Sequence, residues 1–316
     1  MRRSPARGGA LLALTALIWG FGFVAQSAGL SYIGPFTMNG VRNLIAGLVL
    51  LPVIPLMDRL SGRRPSLWGA AAGPAQRRTL LRGGLACGLA LAAASSLQQV
   101  GIAYTTVGKA GFLTALYILL VPLLGIFRGR RPAGRLWIAV GAALAGMYLL
   151  CAGEGFSIGL GDGLMLLSAL GFAVHILVID HFADKTDGVR MSCIQFFVCG
   201  ALCCGVMAFT EKPTAAALAA AWAPVLYAGA VSAGVGYTLQ ILGQRELDPT
   251  VASLILSLES VFAALGGWLL LGQSLSGREL AGCALVFAAI LLAQLPVKGE
   301  RRRQDRDRDE KEEKPV

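Results

Sequence analysis

The chain has 316 residues, 55% of them hydrophobic and 15% charged, with a net charge of +10 and a mean hydropathy of +0.65. That balance excludes an ordinary soluble domain, in which about a quarter of the residues are charged. The positive surplus invites a nucleic-acid reading, but the charges crowd the connections between long uncharged stretches and form no single basic face.

Positions 8–41, 83–108, 110–127, 136–153, 163–179, 191–210, 213–244, 260–277 and 280–297 carry no Asp, Glu, Lys or Arg. A helix needs about 20 mostly apolar residues to cross a hydrocarbon core of ~30 Å. In lipid only helices and closed barrels satisfy their own backbones, and these runs lack the alternation of barrel strands. The expectation is an all-α membrane protein of ten transmembrane helices, at roughly 10–30, 34–57, 80–100, 106–127, 135–152, 160–180, 190–210, 219–242, 249–271 and 276–295.

With the N-terminus inside, the connections on the cytoplasmic side hold 24 of the 28 Lys and Arg, among them Arg2, Arg3, Arg7, Arg59, Arg63, Arg64, Arg77, Arg78 and Arg82. Only Lys109, Lys212 and Arg278 fall outside, and Arg42 lies within a helix. This positive-inside bias places both termini in the cytoplasm. The first thirty residues have the outline of a signal peptide. Their apolar run is matched by a second copy at 163–182, so an uncleaved first span is expected.

The stretch 58–79, with Pro65, Pro74 and three glycines, reads as the longest internal loop. Gly84 and Gly88 form a GxxxG, and Ala230 and Gly234 its small-residue equivalent, spacings that let helix backbones approach closely. Asp248-Pro249 suits a helix start, with Asp at the N-cap and Pro in the first turn. The seven cysteines all fall in spans and read as small packing residues. The tail 298–316 mixes eight basic with seven acidic residues without apolar period, and disorder is expected.

The chain is also written twice. Trp19, Met38 and Arg42 match Phe172, Met191 and Gln195 at an offset of 153; Gln98, Gly101 and Tyr117 match Gln240, Gly243 and Glu259 at an offset of 142. The offset drops because the loop after the second span is longer in the first copy. Five spans per copy is odd, so the copies enter the membrane in opposite orientation, an architecture of secondary transporters with the substrate site between the repeats. The expected organisation is a cytoplasmic N-terminus at 1–9, five-helix repeats at 10–152 and 160–295, and the tail at 298–316.

Several stretches carry a family resemblance: Ala16-Leu17-Ile18-Trp19-Gly20; Met38-Asn39-Gly40-Val41-Arg42 with Ala46; Leu258-Glu259-Ser260-Val261-Phe262-Ala263-Ala264-Leu265 with Leu270-Leu271-Gly272; and the closing helix from Leu280 to Leu292. Together, over about 10–295, they resemble the EamA family of the drug/metabolite transporter superfamily. The resemblance implies a ten-helix inner-membrane carrier or exporter of small metabolites, including amino acids, with a central cavity worked by alternating access. The chain departs from the pattern at Ser260, where Pro often follows the Glu, and at Gln273, where an acid is frequent. The equivalent stretch of the first copy, Phe127-Arg128-Gly129-Arg130, also lacks an acid.

Glu259 lies near the middle of the ninth span, where a charge costs roughly 2.5–3.5 kcal/mol and so calls for a partner, a wet cavity or a proton. It suits a coupling proton or a cationic substrate group; a structural carboxyl bonded to its neighbours is the competing reading. Arg42 can grip a carboxylate with two hydrogen bonds, or snorkel to the interface, or anchor a neighbouring helix. His175 fits a proton relay or a packing histidine. Gln98 and Gln240 are equivalent amides that could face one cavity or bond between helices, as could Gln195. Trp19 and Tyr117 could stack on substrate or pack the core, and Tyr117 is the counterpart of Glu259.

There is no phosphate loop of the G-x-x-x-x-G-K-[ST] type, no metal-ligand spacing and no nucleophile with its base, so neither metal nor cofactor is expected. The reading is a secondary active transporter, exporter or exchanger, of small organic metabolites. An intramembrane enzyme or a non-transporting scaffold is the alternative. Expected partners are a small-molecule substrate, the lipid bilayer, a coupling proton and a second copy of the chain, with no nucleic acid.

Overall fold

The computed structural model describes residues 4–62, 64–69, 73–105, 107–129, 132–151, 159–271 and 276–294. The tail 298–316, Gln273, Arg130 and part of the basic connections lie outside the described residues. Among the described residues there are helices and no strands.

The first repeat contains α1 (Pro5–Leu30), α2 (Pro35–Leu60), α3 (Pro74–Ile102), a fourth span split into α4 (Val107–Ala115) and α5 (Tyr117–Phe127), and α6 (Gly134–Cys151). The second contains α7 (Leu160–Ala183), α8 (Gly188–Thr210), a segmented eighth span, a split ninth span and α14 (Gly277–Gln294). The eighth span runs through α9 (Ala215–Ala220), α10 (Trp222–Leu226), a π-helical stretch (Tyr227–Tyr237) and α11 (Thr238–Gln244). The ninth is α12 (Pro249–Leu256) followed by α13 (Leu258–Leu271). Eight of these rods are long and apolar enough to cross a bilayer, and Gly134–Leu149 is a shorter apolar helix. With α14 they complete ten spans, in two inverted repeats of five.

Prolines set several of the starts. Pro5, Pro35, Pro74 and Pro249 all occupy the first helical turn, where the missing N–H costs nothing. Asp248 caps α12 through a bond from Thr250 N at 2.8 Å. Pro74 also shortens the expected 58–79 loop: α2 runs on to Leu60, and α3 begins six residues earlier than the hydropathy suggests.

The fourth and ninth spans break at equivalent places. Leu119 N bonds Leu116 O at 3.0 Å and Ser260 N bonds Ser257 O at 3.1 Å, so each span passes through one tightened turn. In the ninth span, Ser253, Ser257 and Ser260 all donate their hydroxyls to the carbonyl three residues back, at 2.9, 2.7 and 2.8 Å. Such side-chain bonding competes with the regular helix ladder. Ser260 thus takes part in the turn that interrupts the ninth span.

Packing follows the duplication. α2 lies on its own counterpart α8, and α6 on its counterpart α14. α3 packs on α7 and α8, and its counterpart, the eighth span, packs correspondingly on α1 and α2. The Gly84–Gly88 pair is the contact that brings α3 against α8: a Cβ on Gly84 would lie 2.5 Å from Ile194, and one on Gly88 2.6 Å from Val198. Lipid supplies no hydrophobic drive between helices, so such close backbone approach is what holds them.

The ends of α2 and α8 are tied as well. Arg190, in the first turn of α8, meets Asp58, in the last turn of α2, at 2.6 Å, with both side chains buried. Arg190 also donates to Asp187 at 2.9 Å and to the carbonyls of Ser66 and Leu67 at 2.7 and 3.2 Å. At the other end, Glu211 follows α8 and accepts from Phe36 N and Thr37 N, both at 2.8 Å, and from Thr37 Oγ1 at 2.5 Å.

Candidate functional site

The tightened turns deliver Tyr117 to the first position of α5 and Glu259 to the second of α13. Both face a cavity of about 30 Å³ at the junction of the repeats, room for about two waters. It is walled by Trp19, Phe23 and Gln26 from α1, Arg42 from α2, Gln98 from α3, Thr114 from α4, Phe172 from α7, and Ser232 and Tyr237 from the π-helical stretch.

Arg42 is buried and turned inward, away from the interface to which it could have snorkelled. Its Nε donates to Asn39 Oδ1 at 3.0 Å. Asn39 is itself held by Ser95 at 2.9 Å, by Cys203 at 3.2 Å and by Asn43, which donates to the same Oδ1 at 3.1 Å. A neutral amide network thus aims the guanidinium, and among the described residues no carboxylate pairs with it. Glu259 is equally buried and unpaired, and its Oε1 has no hydrogen-bond partner. Tyr117 stands beside it close enough to interact electrostatically, while the Tyr117 hydroxyl makes no well-formed hydrogen bond.

The cavity therefore holds one guanidinium and one carboxyl group, both buried and outside salt-bridge distance of each other. A buried charge without its counter-ion is costly; such a pair is offset by a ligand carrying the complementary charges or by a proton on the carboxylate. The rest of the wall mixes the aromatic rings of Trp19, Phe23, Phe172 and Tyr237 with the neutral polar groups of Gln26, Gln98, Thr114 and Ser232. Trp19 and Tyr237 stack at 4.6 Å between centroids, and His175 and Phe196 each approach Tyr237 edge-on at 5.8 Å.

The equivalent positions of the repeats divide unevenly. Trp19 and Phe172 both reach the cavity, as do Tyr117 and Glu259. Arg42 and Gln98 reach it, while their counterparts Gln195 and Gln240 lie outside it. Gln195 Oε1 instead meets His175 Nε2 at 3.1 Å behind the Tyr237 ring. Gln240 is buried on α11 with Oε1 unpartnered, whereas Gln98 donates to Thr114 Oγ1 at 3.3 Å on the cavity wall.

Thr114, Ser232 and Phe23 are wall residues that the sequence reading passed over. Ser232 comes in through the π-helical stretch, whose wide turns free carbonyls: Trp19 Nε1 donates to Ser232 O at 3.0 Å, and Thr15 Oγ1 donates to Gly236 O at 3.3 Å. π-Helical turns gather at functional sites, yet three glycines and a serine in an apolar run give no periodic sign of one. Gly236 sits where this stretch meets α1, and a Cβ there would lie 2.6 Å from Trp19 Nε1.

Inverted five-helix repeats, spans broken part-way along their length and a cavity between them lined by Arg42 and Glu259 define a polytopic membrane protein with the architecture of secondary transporters. The chain belongs to the EamA-like transporter family, which matches residues 6–152 and 159–295, within the drug/metabolite transporter superfamily. It is 30% identical over 296 residues to an uncharacterized transporter of Archaeoglobus fulgidus, a match covering 90% of this chain and 85% of the other. It is 28% identical over 181 residues to the uncharacterized transporter YvbV of Bacillus subtilis, covering 57% and 50%. A crystal structure of a protein 17% identical in sequence superposes with a TM-score of 0.72 over 90% of this chain and 96% of that one, and so shares its fold.

Proposed function

We propose that the chain is a secondary active transporter, an exporter or exchanger, that moves small organic metabolites such as amino acids across the cytoplasmic membrane by alternating access. The observation that carries this reading is the pair of buried ionisable side chains without a salt-bridge partner, Arg42 and Glu259, lining one cavity. An α-amino acid brings a carboxylate for the Arg42 fork and an ammonium for Glu259, with an aromatic wall of Trp19 and Tyr237 for its side chain. When the ammonium leaves, a proton on Glu259 would take over its charge role, which supports coupling to a proton gradient. Both termini lie in the cytoplasm in this reading, as the placement of Lys and Arg supports.

The test is counterflow in proteoliposomes loaded with a mixture of amino acids, with and without a pH gradient. The expected result is saturable exchange that Glu259→Gln uncouples from the gradient. Full gradient-driven transport by Glu259→Gln would remove the proton role. Absence of exchange for every zwitterion, with exchange of a simple anion or cation instead, would remove the substrate class.

A further inference from the structure

A second cleft lies away from the transport cavity, at the N-terminal end of α3. It has a volume of about 420 Å³ and is lined by Pro74, Arg77, Arg78, Leu81, Arg82 and Leu85. The i,i+4 spacing of a helix places Arg77 or Arg78, then Leu81 or Arg82, then Leu85 on one stripe. At 1.5 Å per residue, the cationic end and the apolar end are about 10 Å apart. Arg77 and Arg78 stand at the start of the stripe, Arg82 lies between Leu81 and Leu85, and the two leucines are half exposed.

Among the described residues no carboxylate forms an ion pair with Arg77, Arg78 or Arg82. Arg77 instead lies over the Trp68 ring, 5.8 Å from its centroid, and Trp68 is itself partly exposed, as interfacial tryptophans are. The cleft also sits on the first turn of α3, where the helix dipole is positive, although the Gly73 N–H is already held by Gln76 Oε1 at 3.2 Å. All of these features attract an anion, and the leucines beneath attract an acyl chain.

We propose that this cleft binds an anionic phospholipid, with the phosphate held by Arg77, Arg78 and Arg82 and one acyl chain lying along Leu81 and Leu85. Basic pockets beside membrane helices are a known chemistry for such headgroups. A positive-inside bias asks only that these cations be on the cytoplasmic side; it does not require three of them unpaired on one apolar-footed cleft. The inference rests on the orientation proposed above only for which leaflet supplies the lipid, and binding is measurable whether or not transport is found.

The experiment is native mass spectrometry of the purified full chain, titrated with phosphatidylglycerol or with phosphatidylcholine of the same acyl chains. The expected result is at least about tenfold tighter binding of phosphatidylglycerol. The triple variant R77Q/R78Q/R82Q loses that preference. R59Q/R64Q, which removes exposed charge at the same end of the bundle, keeps it. The triple variant with Lys at these positions retains most of it and guards against misfolding. Leu81→Asn with Leu85→Asn weakens the lipid. Equal retention of the two lipids, or an unchanged preference in the triple Gln variant, overturns the proposal. Displacement of the lipid by millimolar inorganic phosphate, with the Leu variants unaffected, overturns it in favour of a free-anion site.

Discussion

Asp58 and Glu211 stand 153 residues apart, the offset that relates the two repeats, and each closes one end of the same helix pair. Asp58, near the end of α2, grips Arg190 at the start of α8; Glu211, just beyond α8, grips Thr37 at the start of α2. Arg190 and Thr37 are themselves 153 residues apart. One half of the device is a buried ion pair, and the other is a carboxylate seated on free N–H groups, a favourable place for negative charge.

The two ties should differ in strength. Asp58→Ala leaves Arg190 buried without its main counter-ion, which costs about 3–5 kcal/mol. Glu211→Gln keeps an acceptor in a half-exposed place and costs about 1 kcal/mol. Thermal unfolding in detergent checks the order: the Asp58 variant should melt well below the Glu211 variant.

The guanidinium geometry of Arg42 should matter more than its charge. Arg42→Lys keeps the charge, loses the planar fork and breaks the bond to Asn39. The apparent KM for a carboxylate-bearing substrate should rise by about tenfold or more, while the protein's melting temperature moves little. An unchanged KM would place Arg42 among the packing residues.

Equivalent amides should not be equivalent in transport. Gln98→Leu removes a polar group from the cavity wall and should alter substrate affinity. Gln240→Leu removes a buried group whose Oε1 is unpartnered, so it should leave affinity intact and be neutral or slightly stabilising. Parallel uptake and thermal-shift measurements on the two variants separate these outcomes.

Gly236→Ala sets a methyl against Trp19 Nε1. Overpacking of this kind costs about 1–3 kcal/mol, and here it also pushes the ring that bonds Ser232 O. Stability should drop and tryptophan emission should shift, whereas Gly141→Ala, where the added Cβ meets nothing within 4 Å, should change neither.

Much of this was legible from residue order. The uncharged runs locate ten spans, and the repeat register singles out Arg42, Glu259, Tyr117, Trp19 and Gln98, all of which wall the cavity. Register alone cannot tell which member of a pair turns inward, because that depends on helix rotation: Gln195 and Gln240 share their partners' positions and end elsewhere. Helix breaks were hidden for another reason. Leu116 and Ser257 sit within unbroken apolar runs, and the turn at Ser257 is accompanied by hydroxyls bonding backbone carbonyls, a contact that hydropathy does not register. The extension of α3 back to Pro74 went unread because its first turns are basic, and a search for apolar runs discards them.

Those breaks have a mechanical consequence. A nine-residue α4 and an eleven-residue α5 are rods of about 14 and 17 Å, joined at mid-membrane by a single turn, and the ninth span repeats the arrangement upside down. A wall hinged at half its height can yield at one face of the membrane while its other half stays packed. Tyr117 and Glu259 sit at the breaks themselves, so in the proposed alternating access, whichever half moves, these two side chains are the ones displaced least.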